Sequence, residues 1–250
     1  MTAFDPSQFT APTAKPLPVI LLLDVSGSMY GPKIQNLNAA IKDMLETFRD
    51  SESGETEIHV AIITFGAEVS LHQALTSASN ISWHDLSAGG GTPLGTALKM
   101  AKAMIEDKDI ILSRAYRPTV VLVSDGRPGD NWKTPLQDFI NEGRSSKCDR
   151  MAMAIGADAD EDVLGKFIGN AETPLLYAEN AKQLRDAFKF VTMSVTIRTQ
   201  SQNPNQITNP DDIEVKPATI EERTERPKTA PAPTHDTGAT NVQTDEEDYW

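Results

Sequence analysis

Five apolar residues, Val19-Ile20-Leu21-Leu22-Leu23, run without a break into the polar turn Asp24-Val25-Ser26-Gly27-Ser28. A short, continuous apolar run predicts a strand buried on both faces, as in a parallel sheet covered by helices. Gly27 lets the following turn tighten, and Gly31-Pro32 predicts a helix with proline in its first position. Asp24, Ser26 and Ser28 are therefore expected at the carboxyl edge of a parallel sheet, where open α/β sheets bind ligands. One carboxylate and two hydroxyls are hard oxygen donors, suited to Mg²⁺ or Mn²⁺ rather than to copper or zinc. The same residues also suit a helix N-cap that needs no metal. These residues alone leave both readings open.

The chain continues as alternating strands and helices. Ile34, Leu37, Ile41, Leu45 and Phe48 recur at helical spacing and predict an amphipathic helix over 33–49. Residues 58–65 read as a second strand, and the alternating segment 68–75 as its antiparallel hairpin partner at the sheet edge. His59 and His72 fall in these strands as packing or surface residues. Strands are expected over 119–123, 151–155 and 174–178, and helices over 134–143, 160–168 and 180–197. The fold class is thus α/β: a doubly wound, mostly parallel sheet with one antiparallel edge strand and helices on both faces.

Two further stretches bear on the first turn. In Gly89-Gly90-Gly91-Thr92-Pro93-Leu94-Gly95, Thr92 reads as an N-cap and Pro93 as the first helical residue. The glycines are not a phosphate cradle, because the Gly-Lys-Ser/Thr of a P-loop is missing. The run Thr119-Val120-Val121-Leu122-Val123 delivers Ser124-Asp125-Gly126 to a turn. Asp125 suits a turn, yet a second strand-terminal carboxylate in a parallel sheet would share an edge with Asp24. Asp158 and Asp160 read as a capping pair.

Net charge is −13 over 250 residues, which argues against nucleic acid and anionic membrane surfaces as partners. No stretch approaches the ~18 apolar residues of a spanning helix. Pro6, Pro12, Pro16 and Pro18 in the first eighteen residues argue against a secretory signal, and residues 1–17 read as a proline-broken, flexible lead-in. Cys148 is the only cysteine, consistent with a reducing, cytoplasmic compartment. From residue 199 patterned hydrophobicity stops, and four basic residues against eleven acidic ones give that segment a charge of −7. It is expected to be a disordered acidic tail, leaving residues 18–198 as the folded domain. Its last residues pair Tyr249 and Trp250 with four acids, a composition fit to anchor in a partner's pocket.

With these stretches together, the chain resembles a von Willebrand factor A domain. Asp24-x-Ser26-x-Ser28, Thr92 and Asp125 match that family's metal-ion-dependent adhesion site. The resemblance implies that Ser26 and Ser28 ligate Mg²⁺ (Mn²⁺ as the alternative) directly. Thr92 would do so directly or through water, and Asp24 and Asp125 mainly through waters. A partner's Asp or Glu would complete the coordination. A conflict between capping and ligation at Thr92 would make the 89–93 loop a two-state element. Tyr116-Arg117-Pro118, and the segment from Gly126 to Trp132, are similar to the TerY-like bacterial cytoplasmic branch, linked with tellurium resistance and stress. That branch implies a Ser/Thr kinase and a protein phosphatase as associates. Thr224, Thr229, Thr234, Thr237, Thr240 and Thr244 would then be phosphoacceptor candidates.

Two rivals remain at this level. An apolar strand followed by Asp also opens the aspartyl-phosphate phosphatases, with Asp24 as nucleophile. Their second Asp, two residues on, is here Ser26, so a non-catalytic module is the leading expectation. A scaffold that never loads metal is the other rival.

Overall fold

The computed structural model describes residues 14–51, 56–169 and 173–225. Six strands form one sheet in the order β3-β2-β1-β4-β5-β6. They are β1 (Lys15–Asp24), β2 (Thr56–Phe65), β3 (Val69–Ser77), β4 (Thr119–Ser124), β5 (Asp149–Ile155) and β6 (Leu176–Ala178). All neighbouring pairs are parallel except β2 and β3, which form the antiparallel edge. The sheet grows outward in both directions from β1, so the strand order reverses between β1 and β4. That is the crevice where doubly wound sheets place their ligands.

Strand alternation decides which helices cover which face. Leu17, Val19, Leu21 and Leu23 of β1 pack with α1 (Pro32–Ser51) and α5 (Ala181–Gln200). Ile20 and Leu22 point the other way, into a second core with α2 (Leu94–Glu106), α3 (Lys133–Asn141) and α4 (Glu161–Ile168). Ile34, Leu37, Ile41, Leu45 and Phe48 are buried along α1, as their spacing predicts. A truncation such as Leu21→Ala would cost about 2–5 kcal/mol, because the cavity cannot collapse between two layers.

The lead-in ends earlier than expected. β1 begins at Lys15, pairing with Thr56, so Pro16 and Pro18 lie inside a central strand. Proline is tolerated there because β4 pairs with β1 only from Val19 upward. Below that point the Pro16 carbonyl accepts from the Tyr116 amide at 2.9 Å, so the missing N–H groups face a side with no ladder to serve.

The boundary at residue 199 is also corrected. Arg198, 1 % exposed, closes the foot of α5. It donates to Thr119 Oγ1 at 2.6 Å, the Arg117 carbonyl at 2.6 Å and the Pro204 carbonyl at 2.8 Å. Beyond it, Thr208 Oγ1 donates to the Ser194 carbonyl, and Ile213 is buried in the same core as the inner faces of α1 and α5. The Tyr177 amide donates to Ala218 O at 2.8 Å and the Ile220 amide to Leu175 O at 3.2 Å, laying the chain antiparallel along β6. The short α6 (Ile220–Glu225) follows. Isolated anchors such as Ile213 and Val215 carry no periodicity, which is why the segment reads as a tail. Residues 226–250 lie outside the described residues, as do residues 1–13. Among the described residues, no helix is long and apolar enough to cross a membrane.

Candidate metal centre

Asp24 ends β1 and Ser124 ends β4, side by side at the carboxyl edge. Asp24 is fully buried. Its Oδ1 accepts from the Ser26 amide at 2.9 Å and its Oδ2 from the Ser124 hydroxyl at 2.6 Å. These two bonds fix the turn after β1, and the Gly27–Met29 stretch winds into one 3-10 turn. As a result, Ser26 Oγ and Ser28 Oγ lie 3.0 Å apart.

Asp125, also fully buried, follows β4. Its Oδ1 accepts from Ser28 Oγ at 2.7 Å, tying the first turn to the third. Its Oδ2 accepts from Lys33 Nζ, at the start of α1, at 2.5 Å. Thr92 joins from the glycine-rich loop. A Cβ built on Gly126 would lie 3.8 Å from Ser28 Oγ and 3.8 Å from Thr92 Oγ1, so both hydroxyls border one small space. The structure therefore brings Asp24, Ser26, Ser28, Thr92 and Asp125 to one edge, from three separate loops.

The loops are held together by backbone bonds. Gly89 N donates to Val25 O at 2.7 Å, and Gly27 N to Gly90 O at 2.9 Å. Gly90 has φ +78, and a Cβ there would fall 2.2 Å from Ala67 Cα, so only glycine fits. The Thr92 carbonyl accepts from Gly129 N at 2.9 Å, linking the second and third loops.

The cap predicted at Thr92 is absent. Pro93, not Thr92, sits at the cap position of α2 and gives no side-chain bond. The cap comes from Asp130 instead, which accepts from Gly95 N and Thr96 N, both at 2.9 Å. Thr92 Oγ1 is thereby spared the capping role, and the conflict that would make the loop bistable does not arise. Asp160 caps α4, accepting from Val163 N at 3.2 Å, while Asp158 is exposed and takes no part in the cap. His59 pairs with Glu57, and His72 meets the His84 carbonyl, both away from the site.

Burial pushes the Asp24 carboxyl above its ordinary value; bonds from Ser124 and Ser26 pull it back, and the Asp125 charge adds to the rise. Two buried carboxyl groups share the edge with a single ammonium, that of Lys33. Among the described residues no group of three or more His, Cys, Asp or Glu comes together as a metal cage. Any ion here would take hydroxyl oxygen from Ser26, Ser28 and Thr92, with the carboxylates supplying charge. That donor set fits a hard divalent cation.

Ser124, Lys33 and Asp130 were not singled out by the sequence. Ser124 adjoins Asp125 and was the most accessible of the three. The pairing of Lys33 with Asp125 and of Asp130 with Gly95 spans distant segments and has no local signature. Thr224 falls in α6. Tyr249, Trp250, Thr229, Thr234, Thr237, Thr240 and Thr244 lie outside the described residues.

A doubly wound sheet with oxygen-bearing side chains from three loops gathered at its switch point defines the class of α/β domain. Residues 19–190 match the model of the von Willebrand factor type A domain, and the chain belongs to that family. It is 25 % identical over 186 residues to mouse inter alpha-trypsin inhibitor heavy chain 4, covering 68 % of this chain and 19 % of the relative. It is 26 % identical over 173 residues to human inter-alpha-trypsin inhibitor heavy chain H2, covering 64 % and 18 %. The chain thus spans about a fifth of the length of these curated relatives. Among solved structures, the pilus adhesin SpaC of Lactobacillus rhamnosus GG matches with a TM-score of 0.61 at 16 % identity, over 74 % of this chain and 30 % of that one. Proximal thread matrix protein 1 from the mussel byssus, with a zinc-occupied MIDAS motif, matches with a TM-score of 0.54 at 15 % identity, over 72 % and 46 %. These likenesses show the fold.

Proposed function

We propose that this chain is a non-catalytic binding module that captures an Asp or Glu of a partner protein through a divalent cation. The ion is Mg²⁺, with Mn²⁺ as the alternative, held by Ser26, Ser28 and Thr92 and balanced by Asp24 and Asp125. One observation carries the reading: the two carboxylates are fully buried while Ser28 is exposed and Thr92 partly so. Two hydroxyl-bearing residues thus reach the surface, and the charged groups lie beneath them with Ser26. When bound, the ion supplies an electrophilic vacancy that a visiting carboxylate can fill. The zinc in the mussel protein's motif supports a cation in this type of site, while the all-oxygen donor set here favours a harder ion.

Catalysis by Asp24 is disfavoured by its surroundings. Both oxygens are engaged and the group is fully buried, so it is poorly placed to attack a phosphoryl centre. The finer reading places the module in a bacterial stress system of the TerY-like kind, with a Ser/Thr kinase and phosphatase nearby, and in the cytoplasm. It rests on Tyr116–Pro118 and Gly126–Trp132, and the lone, buried Cys148 suits a reducing compartment. Thr224, Thr229, Thr234, Thr237, Thr240 and Thr244 would then serve as phosphoacceptors, and Tyr249–Trp250 as a docking motif.

The test is a thermal melt with and without Mg²⁺ on the wild type and Ser28→Ala, followed by partner capture with and without EDTA. A Mg²⁺-dependent rise in Tm that Ser28→Ala abolishes, with EDTA-sensitive capture, supports the module. Identical melting with and without ion would favour the metal-free scaffold.

A further inference from the structure

Lys33 is a cation built into the edge where the proposed metal would sit. It lies in the first turn of α1, where the helix dipole disfavours a positive side chain. Its side chain runs over Gly156, where a Cβ would meet Nζ at 3.7 Å and Cε at 3.8 Å, and ends on Asp125 Oδ2. The two oxygens of Asp125 are thus divided. Oδ2 is taken by the ammonium, and Oδ1 faces Ser28 Oγ and the hydroxyl cluster. Lys33 is the one base in an ion pair with either buried carboxylate among the described residues. We infer that Lys33 is a positioning residue that sets the charge of the loaded site and so favours an anionic partner.

With both Asp24 and Asp125 ionised against a bound dication, two carboxylates and one ammonium contribute −1 and the ion brings the site to +1. Without Lys33 the same ion would be neutralised, and its vacancy would have less reason to prefer a carboxylate over water. Lys33 therefore weakens cation binding and strengthens capture of acid. It also holds Asp125 so that Oδ1 remains turned toward Ser28. The inference rests on the metal-dependent reading above.

The experiment compares wild type, Lys33→Met and Lys33→Arg. Mn²⁺ affinity is measured by titration calorimetry, and acetate binding by relaxation of its methyl protons in the Mn²⁺-loaded protein. Lys33→Met should bind Mn²⁺ about tenfold more tightly, because a like charge a few ångströms away is removed. It should hold acetate about tenfold more weakly, while Lys33→Arg stays within about threefold of wild type on both counts. Lys33→Gln serves the same purpose if the methionine variant fails to fold by circular dichroism. Unchanged or weaker Mn²⁺ binding by the neutral variants overturns the inference and leaves the binding-module reading standing. A wild type that binds no Mn²⁺ overturns both.

Discussion

Asp130 caps α2 through Gly95, its Oδ1 accepting the Gly95 amide at 2.9 Å across 35 residues of sequence. The loop after β4 thereby fastens the helix that follows the Thr92 loop. Its geometry is close, since a Cβ on Gly95 would fall 2.3 Å from the Asn131 carbonyl oxygen. Two of the three loops of the candidate metal centre are locked together by this contact and by Gly129 N on Thr92 O.

Asp130→Ala should therefore act on stability and on the site together. Loss of the cap should lower unfolding free energy by about 1–2 kcal/mol in urea titrations. Mg²⁺ affinity should fall severalfold by calorimetry, because Thr92 loses its fixed neighbour. Asp130→Asn keeps an acceptor oxygen and should retain most of both. An Ala variant with full Mg²⁺ affinity would show that the two loops are independent.

Gly90→Ala places a methyl against the Ala67 backbone, and the positive φ adds strain. The expected cost is about 1–3 kcal/mol or more. The displaced loop should also release the Gly27 amide, now bonded to Gly90 O. Mg²⁺ should then give a smaller rise in Tm than in the wild type. Gly89→Ala is the control, since a Cβ there meets nothing within 4 Å.

Arg198→Met tests the foot of α5. Arg198 Nη1 stands 3.7 Å from Asp149 Oδ2, which has no hydrogen bond of its own. Removing the arginine strands a buried carboxylate, with an expected loss of about 3–5 kcal/mol near neutral pH. Burial already raises the Asp149 carboxyl, and Arg198 is the foremost influence pulling it down. The variant's Asp149 should hold its proton more tightly still. A raised carboxyl contributes stability at low pH that is lost as pH climbs through its folded value. The deficit of Arg198→Met should thus shrink toward about pH 4, and Asp149→Leu in the same chain should restore much of it. A deficit independent of pH would place the cost in the lost bonds to Arg117 and Pro204 instead.

Cys148 offers a check on packing at the lower edge of the sheet. Burial foremost pushes its thiol up to about 12. At pH 8 only about one thiol in ten thousand would be ionised, and thiolate is the reactive form. A disulfide reagent at that pH should leave the native protein unlabelled and react in full after denaturation. Rapid native labelling would mean that the edge near Arg144 opens readily.

The residues themselves determined the sheet and named five oxygen-bearing side chains that the fold gathers at one edge. Val19–Leu23 and Thr119–Val123 are too apolar to be anything but doubly covered strands, Asp24, Ser26, Ser28 and Asp125 end or follow those strands, and Thr92 precedes a helix. Helical spacing likewise placed α1 and α5, because a buried stripe leaves a period in the sequence. Only the tertiary structure decided what those oxygens touch. Ser124 clamps Asp24, Lys33 pairs with Asp125, and Asp130 relieves Thr92 of capping α2, each through a contact between segments far apart in the chain. The same holds for residues 199–225, where Ile213 finds a place in the same core as the inner faces of α1 and α5 with no periodicity to announce it. Local chemistry is written along the chain in its patterns. Pairings across long loops depend on where the backbone brings two side chains together, and no single segment encodes that.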